Sequence, residues 1–213
     1  VPTAVISNAS LIDRPSVRRD LMAASYVSLK VDTVDPVSWR RLDHPHRSLD
    51  LASILEGILI FASGYRGILV TETMLVAGVN DTTPDAEDLA WFLAKVGPHR
   101  AYVSVPTRPP TDPGVQRPDP AALTRFYLTL RERLDDVQLL TGYEGDAFVA
   151  SGDPAEALVA ITSVHPMRAS AVQRALERRG ADWDVVDRLL AAERLVRVDH
   201  EGHVYYLHRP GAG

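Results

Sequence analysis

Cysteine is absent from the 213 residues. That excludes disulfides, thiolate metal sites and cysteine nucleophiles within them. Lysine is nearly absent too: Lys30 and Lys95 are the only two, so arginine carries the positive charge. The net charge of -5 leaves no bulk electrostatic case for binding nucleic acid or an anionic membrane. No apolar run approaches the roughly 18 residues of a membrane helix, and no signal peptide is visible. The cytoplasm is therefore the default expectation. A Gly-x-Ser-x-Gly elbow, a phosphate-binding P-loop, a dinucleotide glycine fingerprint and HExxH are all missing.

What is present is an ordinary globular composition, 46% hydrophobic and 24% charged. The length allows one large core or a core with a small appendage. The chain opens on Val1 and enters a strand-like segment almost at once. The expectation is that part of a longer protein precedes it, with processing or a non-methionine start codon as the alternatives.

The organising stretch is residues 67–81, GILVTETMLVAGVND. Ile68, Leu69 and Val70 suit a parallel strand buried on both faces. Met74, Leu75 and Val76 are read as its continuation. Glu72 falls where an open α/β sheet or barrel presents its ligand edge. An inward carboxylate needs a partner or a ligand; the alternative is a rim glutamate in water.

Around it, AVIS (4–7), YVSLKV (26–31), AYVSV (101–105) and VQLL (137–140) read as strands. Helices are expected at about 16–23, from Asp35-Pro36 onward, at 49–61, 83–96 and 121–134. Asn8 sits in a polar turn and tolerates left-handed geometry. Residues 106–120 carry six prolines and read as a rigid loop. Repeated strand–helix units predict a parallel sheet with helices outside. Right-handed crossovers bring the strand C-termini to one edge. Asn8, Lys30, Asp32, Glu72 and Ser104 then gather there.

After residue 141 the pattern changes. Residues 142–153 read as a linker. Residues 154–213 predict three short helices, at about 154–161, 167–179 and 182–192, followed by a hairpin turning at Glu201-Gly202. This suggests a winged helix-turn-helix. Eight arginines and eight acidic residues cancel across it. Its candidate recognition helix carries Asp182, Asp184 and Asp187 against Arg188, so DNA binding is not expected. A docking or structural module is.

Four groups of residues invite chemical readings. His44 and His46 flank Pro45 with no fixed zinc geometry, so they shape a loop or touch substrate. His165 reads as a local structural element before a helix, and His200, His203 and His208 as surface groups of the hairpin. Arg108 follows a strand and suits a carboxylate, a phosphate or a bracing salt bridge. Lys30 and Asp32 form an ion pair straddling a strand end, gripping a ligand or satisfying themselves. Asp32 and Glu72 are also an acid–base candidate pair.

Five segments in this order carry a family resemblance: SNAS (7–10), SLKVD (28–32), RLDHPH (41–46), TETMLVAGVND (71–81) and YVSVPTRPP (102–110). Together they resemble the later strands of a radical S-adenosylmethionine (radical SAM) iron–sulfur oxidoreductase. The likeness covers roughly residues 3–140, and the tail resembles a small winged module appended in some members. The resemblance implies a partial (β/α)₆ barrel. It implies a [4Fe–4S] cluster on a C-x₃-C-x₂-C loop, S-adenosylmethionine, and hydrogen abstraction by a 5′-deoxyadenosyl radical. It implies cofactor contacts from Asn8 at strand three and from Ser28, Lys30 and Asp32 at strand four. Met74, Val76, Gly78 and Asn80 would pack near adenine after strand five. Ser104, Val105, Pro106 and Thr107 would approach it at strand six. Glu72 and Arg108, with His44 and His46, would face substrate or brace the cofactor.

The departure is the missing cysteine motif. The first two strands of the family barrel also have no counterpart here. A fragment of an active enzyme, comprising about four strands of the barrel plus the tail, is expected over a degenerate paralogue. The chain alone is predicted inactive, with its first strand open to pairing. A cluster-free ligand-binding or scaffold module, and a DNA-associated regulator, are the other function classes. The substrate, small molecule or protein, does not follow from the sequence.

Overall fold

The computed structural model describes residues 2–107, 109–110, 112, 114–140, 153–162, 166–200 and 202–209. The chain divides into two compact units, Val1–Pro106 with Asp112–Thr141, and Thr107–Thr111 with Gly142–Gly213.

In the first unit, strands β1 (Ala4–Ser7), β2 (Tyr26–Lys30), β3 (Ile68–Met74), β4 (Arg100–Ser104) and β5 (Val137–Leu140) lie in sequential order. Every neighbouring pair is parallel. Between them run α1 (Pro15–Leu21), α2 (Pro36–Asp43), α3 (Leu51–Gly64), α4 (Thr83–Val96) and α5 (Pro120–Arg131). Strands laid down in sequence order never reverse direction across the sheet. That is the winding of a barrel segment rather than of a doubly wound sheet.

The register fixes two unlike faces. Val27, Leu29, Leu69, Ala101, Val103 and Val137 join a buried cluster with Ile58 and Phe61 of α3, Leu89 and Leu93 of α4, and Phe126 and Leu130 of α5. Burying each large side chain there contributes about 1.5–3 kcal/mol. The alternate positions form rows across the strands: Ala4, Tyr26 and Ile68; Ile6, Ser28, Val70 and Arg100; Lys30, Glu72, Tyr102 and Gln138; Met74, Ser104 and Leu140. This second face is mostly polar toward the strand C-termini, and its Ile6 is 80% exposed.

The helix ends follow local chemistry. Thr82 and Asp85 form a reciprocal capping box at α4, and Gly97 closes it in the left-handed region. Asp35, Asp50 and Asp119 each accept backbone N–H groups of the helix they precede. Two expectations need correction. Leu75 and Val76 are buried but lie beyond β3. The Leu75 amide is bonded to the Ser104 carbonyl, and that of Val76 to the Asn80 side chain. In the first turn the left-handed residue is Ala9, at φ 59°, and not Asn8. Asn8 instead accepts from the Ser10 amide, and Ser7 Oγ accepts from the Ala9 amide.

The second unit holds α6 (Pro154–Thr162), β6 (Met167–Arg168), α7 (Ala169–Glu177), α8 (Asp184–Ala191), β7 (Leu195–His200) and β8 (His203–His208). Its antiparallel sheet has the order β6-β8-β7, around a core that includes Leu158, Met167, Val172, Leu176, Val186 and Tyr206. The expected helix from residue 167 starts later, at Ala169. Met167 and Arg168 pair instead with Tyr206 and Tyr205. The expected linker falls almost wholly outside the described residues, as does His165. No helix among the described residues is long and apolar enough to cross a membrane.

Candidate functional site

The C-terminal strand edge is held together by a network centred on Asp32. Its carboxylate is almost fully buried and bonds Lys30 Nζ. Its other oxygen accepts the Met74 amide at 2.7 Å. Lys30 Nζ also bonds Asp43 Oδ1, at 3.1 Å, from the end of α2. Asn80 reaches back and donates to the carbonyls of Asp32 and Met74 at 2.8 and 3.0 Å, while accepting the Val76 amide at 2.8 Å. Thr73 donates to the Val31 carbonyl at 2.7 Å. The end of β2 and the loop after β3 are thereby locked as one piece. The polar atoms of Asp32 and Asn80 are engaged in this scaffold.

Next to it, Ser104 Oγ donates to Glu72 Oε1 at 3.1 Å. Glu72 is half-buried on the polar sheet face, between Lys30 and Tyr102 in register. Glu72 is thus neither a fully exposed rim glutamate nor an unpartnered one. Further down this face, Arg100 bonds Tyr102 Oη at 3.2 Å and Asp136 at 2.7 Å. Both bonds hold its guanidinium protonated above its usual range. The Tyr26 phenol is pushed up chiefly by burial, then by the neighbouring Tyr102. It stays a neutral hydrogen-bonding group at any physiological pH.

A cavity of about 220 Å³ opens at the ends of β1 and β2, under the connection from α2 to α3. Asn8, Ser10, Lys30, Asp43, His44 and His46 line it with polar groups, and Leu51, Ile54, Leu55 and Ile58 of α3 give it an apolar floor. His46 Nδ1 lies 2.8 Å from Ser48 Oγ and shapes the loop. His44 takes a left-handed backbone, φ 42°, as it ends α2.

The structure thus brings Asn8, Lys30, Asp32, His44 and His46 around one cavity, with Glu72 and Ser104 joined alongside. Ser28 is buried on the same face one row down. Met74 and Val76 lend backbone amides to the lock, and exposed Gly78 accepts from Arg41 at 3.2 Å. Val105 and Pro106 are buried after β4. Thr107 goes with the second unit, where its carbonyl accepts the Tyr205 hydroxyl at 2.8 Å. Arg108 lies outside the described residues. No local sequence pattern marks Asp43 or the α3 floor as part of a site. The helix-spaced apolar stripe of α3 signals burial without distinguishing a core from a cavity wall.

No family model matches the chain. A UPF0026 protein of Methanocaldococcus jannaschii is 34% identical over 209 residues, 97% of this chain and 65% of that protein. The chain therefore spans 65% of the length of that relative. Among solved structures, a domain of a pyruvate-formate lyase-activating enzyme from Bacteroides vulgatus superposes with a TM-score of 0.53 at 17% identity, over 65% of this chain and 81% of that one. A radical SAM methyltransferase from Sphaerobacter thermophilus gives a TM-score of 0.53 at 20% identity, over 67% and 40%. The chain shares its fold with radical SAM enzymes. At these identities the likeness is one of fold, and the sequence similarity is to the UPF0026 protein.

Proposed function

We propose that this chain forms one wall of a radical SAM-type barrel in which the polar sheet face lines the reaction chamber. The observation that supports this reading is the sheet itself: five parallel strands in sequence order, helices on one face and a polar second face.

The residues do not fit an iron–sulfur cluster. The sequence has no cysteine, and no cluster of three or more His, Asp or Glu among the described residues is placed to hold a metal. No step is derived through the cluster for this chain. In an intact protein that carried a cluster, it would supply the electron that cleaves S-adenosylmethionine. The wall's own groups fit a polar cofactor better. Glu72 keeps one carboxylate oxygen without a partner among the described residues. It would orient the cofactor or substrate beside Ser104 while the Asp32–Asn80 lock keeps the edge rigid. The second unit we read as a winged-helix-like docking module.

Calorimetric titration of the 213-residue chain with S-adenosylmethionine tests the reading. Binding is expected, weakened at least fivefold by Glu72→Ala, with no 5′-deoxyadenosine formed under reducing conditions. An absence of binding at millimolar cofactor would sink the cofactor-wall reading. 5′-Deoxyadenosine from this chain alone would overturn its inactivity. The second reading, a cluster-free binding module, is favoured by the cavity at β1 and β2, which these residues form by themselves.

A further inference from the structure

The cavity under the α2–α3 connection has a head and a floor of opposite character. We infer that it is a binding site for a free α-amino acid with an aliphatic side chain. The inference is independent of the barrel reading.

Size sets the first limit. A volume of about 220 Å³ corresponds to roughly seven waters' share of liquid, which suits a ligand of about seven to ten heavy atoms. The floor, from Leu51, Ile54, Leu55 and Ile58, offers only branched hydrocarbon. It gains by covering an aliphatic chain and would leave a polar one unsatisfied.

Charge sets the second limit. At the head, one ammonium, Lys30, stands between two carboxylates, Asp32 and Asp43. A ligand bearing only a carboxylate meets a local excess of negative charge. A ligand bearing only an ammonium meets Lys30. A zwitterion suits both, and the free bonding capacity is arranged for it. Asp32 is consumed by Lys30 and the Met74 amide. Asp43 accepts only from Lys30 among the described residues, so its remaining lone pairs are open to an α-ammonium. The third N–H of Lys30, the Asn8 amide group and the Ser10 hydroxyl face the same cavity and can donate to an α-carboxylate.

Calorimetry on the 213-residue chain provides the test, with L-leucine as probe. The comparison ligands are 4-methylpentanoate, which lacks the ammonium, and 3-methylbutylamine, which lacks the carboxylate. Leucine is expected to bind at least tenfold tighter than either. Asp43→Asn, at a half-exposed side chain, is expected to weaken leucine at least fivefold and leave 4-methylpentanoate no weaker. Asn8→Ala, at an exposed side chain, is expected to weaken both carboxylates and spare the amine. Leucine binding is expected to persist in saturating S-adenosylmethionine. Equal affinity for the three ligands, or no leucine binding at millimolar concentration, would overturn the proposal. So would competition by S-adenosylmethionine, which would make the cavity part of the cofactor seat.

Discussion

The Thr71 hydroxyl is fully buried on the helix-covered face of β3 and has no hydrogen-bond partner among the described residues. A buried hydroxyl without a partner costs about 1–3 kcal/mol. Thr71→Val keeps the shape and the β-branch, so it is expected to stabilise the protein by about 1 kcal/mol. A urea midpoint no higher than the parent's would refute this. Two residues on, Thr73 has the same chemistry but donates to the Val31 carbonyl. The pair illustrates what a sequence withholds. Both threonines occupy identical periodic positions in TETM, and only the carbonyl brought alongside by β2 separates the satisfied hydroxyl from the orphan. Asp43 is a similar case. Its place beside Lys30 depends on how α2 packs back over the strand end, which no local pattern encodes.

Elements were legible where their signals are local. The Thr82–Asp85 capping box, Pro84 and Gly97 bound α4, and residues 83–96 fold as that helix. Val137–Leu140 forms the expected strand. At Leu75 and Val76 apolarity reports burial without reporting a strand, because the burial belongs to a loop sewn to Ser104 and Asn80. A test at this scale lies in α3. A Cβ added to Gly57 would sit 2.6 Å from the Ile12 carbonyl oxygen and 2.8 Å from the Asp13 nitrogen. Alanine normally favours a helix over glycine by about 1 kcal/mol. Here the clash is with backbone, and Gly57→Ala is expected to destabilise by about 1–3 kcal/mol, as overpacked cores do. A variant as stable as the parent in urea would show that α3 can move off the β1–α1 turn.

For the molecule as a whole, the second unit takes in residues 142–213, where the composition changes, together with residues 107–111, whose placing there left no trace in the sequence. That unit carries its own acid-sensitive tie. Glu156 of α6 is bonded to Arg194, just before β7, at 2.8 and 3.1 Å. The Arg194 side chain holds its carboxyl below the ordinary value of 4.5. A depressed carboxylate stabilises the fold above its unfolded pKa and loses that contribution as pH falls through its folded one. Glu156→Gln is therefore expected to lower the unit's urea midpoint slightly near pH 6, followed on the amide signals of α6 and β7. The difference should vanish as the pH is taken well below about 4. A gap that persisted in acid would show that the tie does not depend on charge.

The rows of the polar face impose a rule of orientation. Side chains there repeat about every 4.8 Å across the strands and about 6.6 Å along them. Across the sheet, one row is Lys30, Glu72, Tyr102 and Gln138, and another is Ala4, Tyr26 and Ile68. A molecule lying crosswise meets ammonium, carboxylate, phenol and amide in turn along the first row, and a phenol between aliphatic side chains along the second. One standing upright passes from that largely apolar row to the ionic one, with Met74, Ser104 and Leu140 beyond it. Posture therefore decides which chemistry a long guest meets.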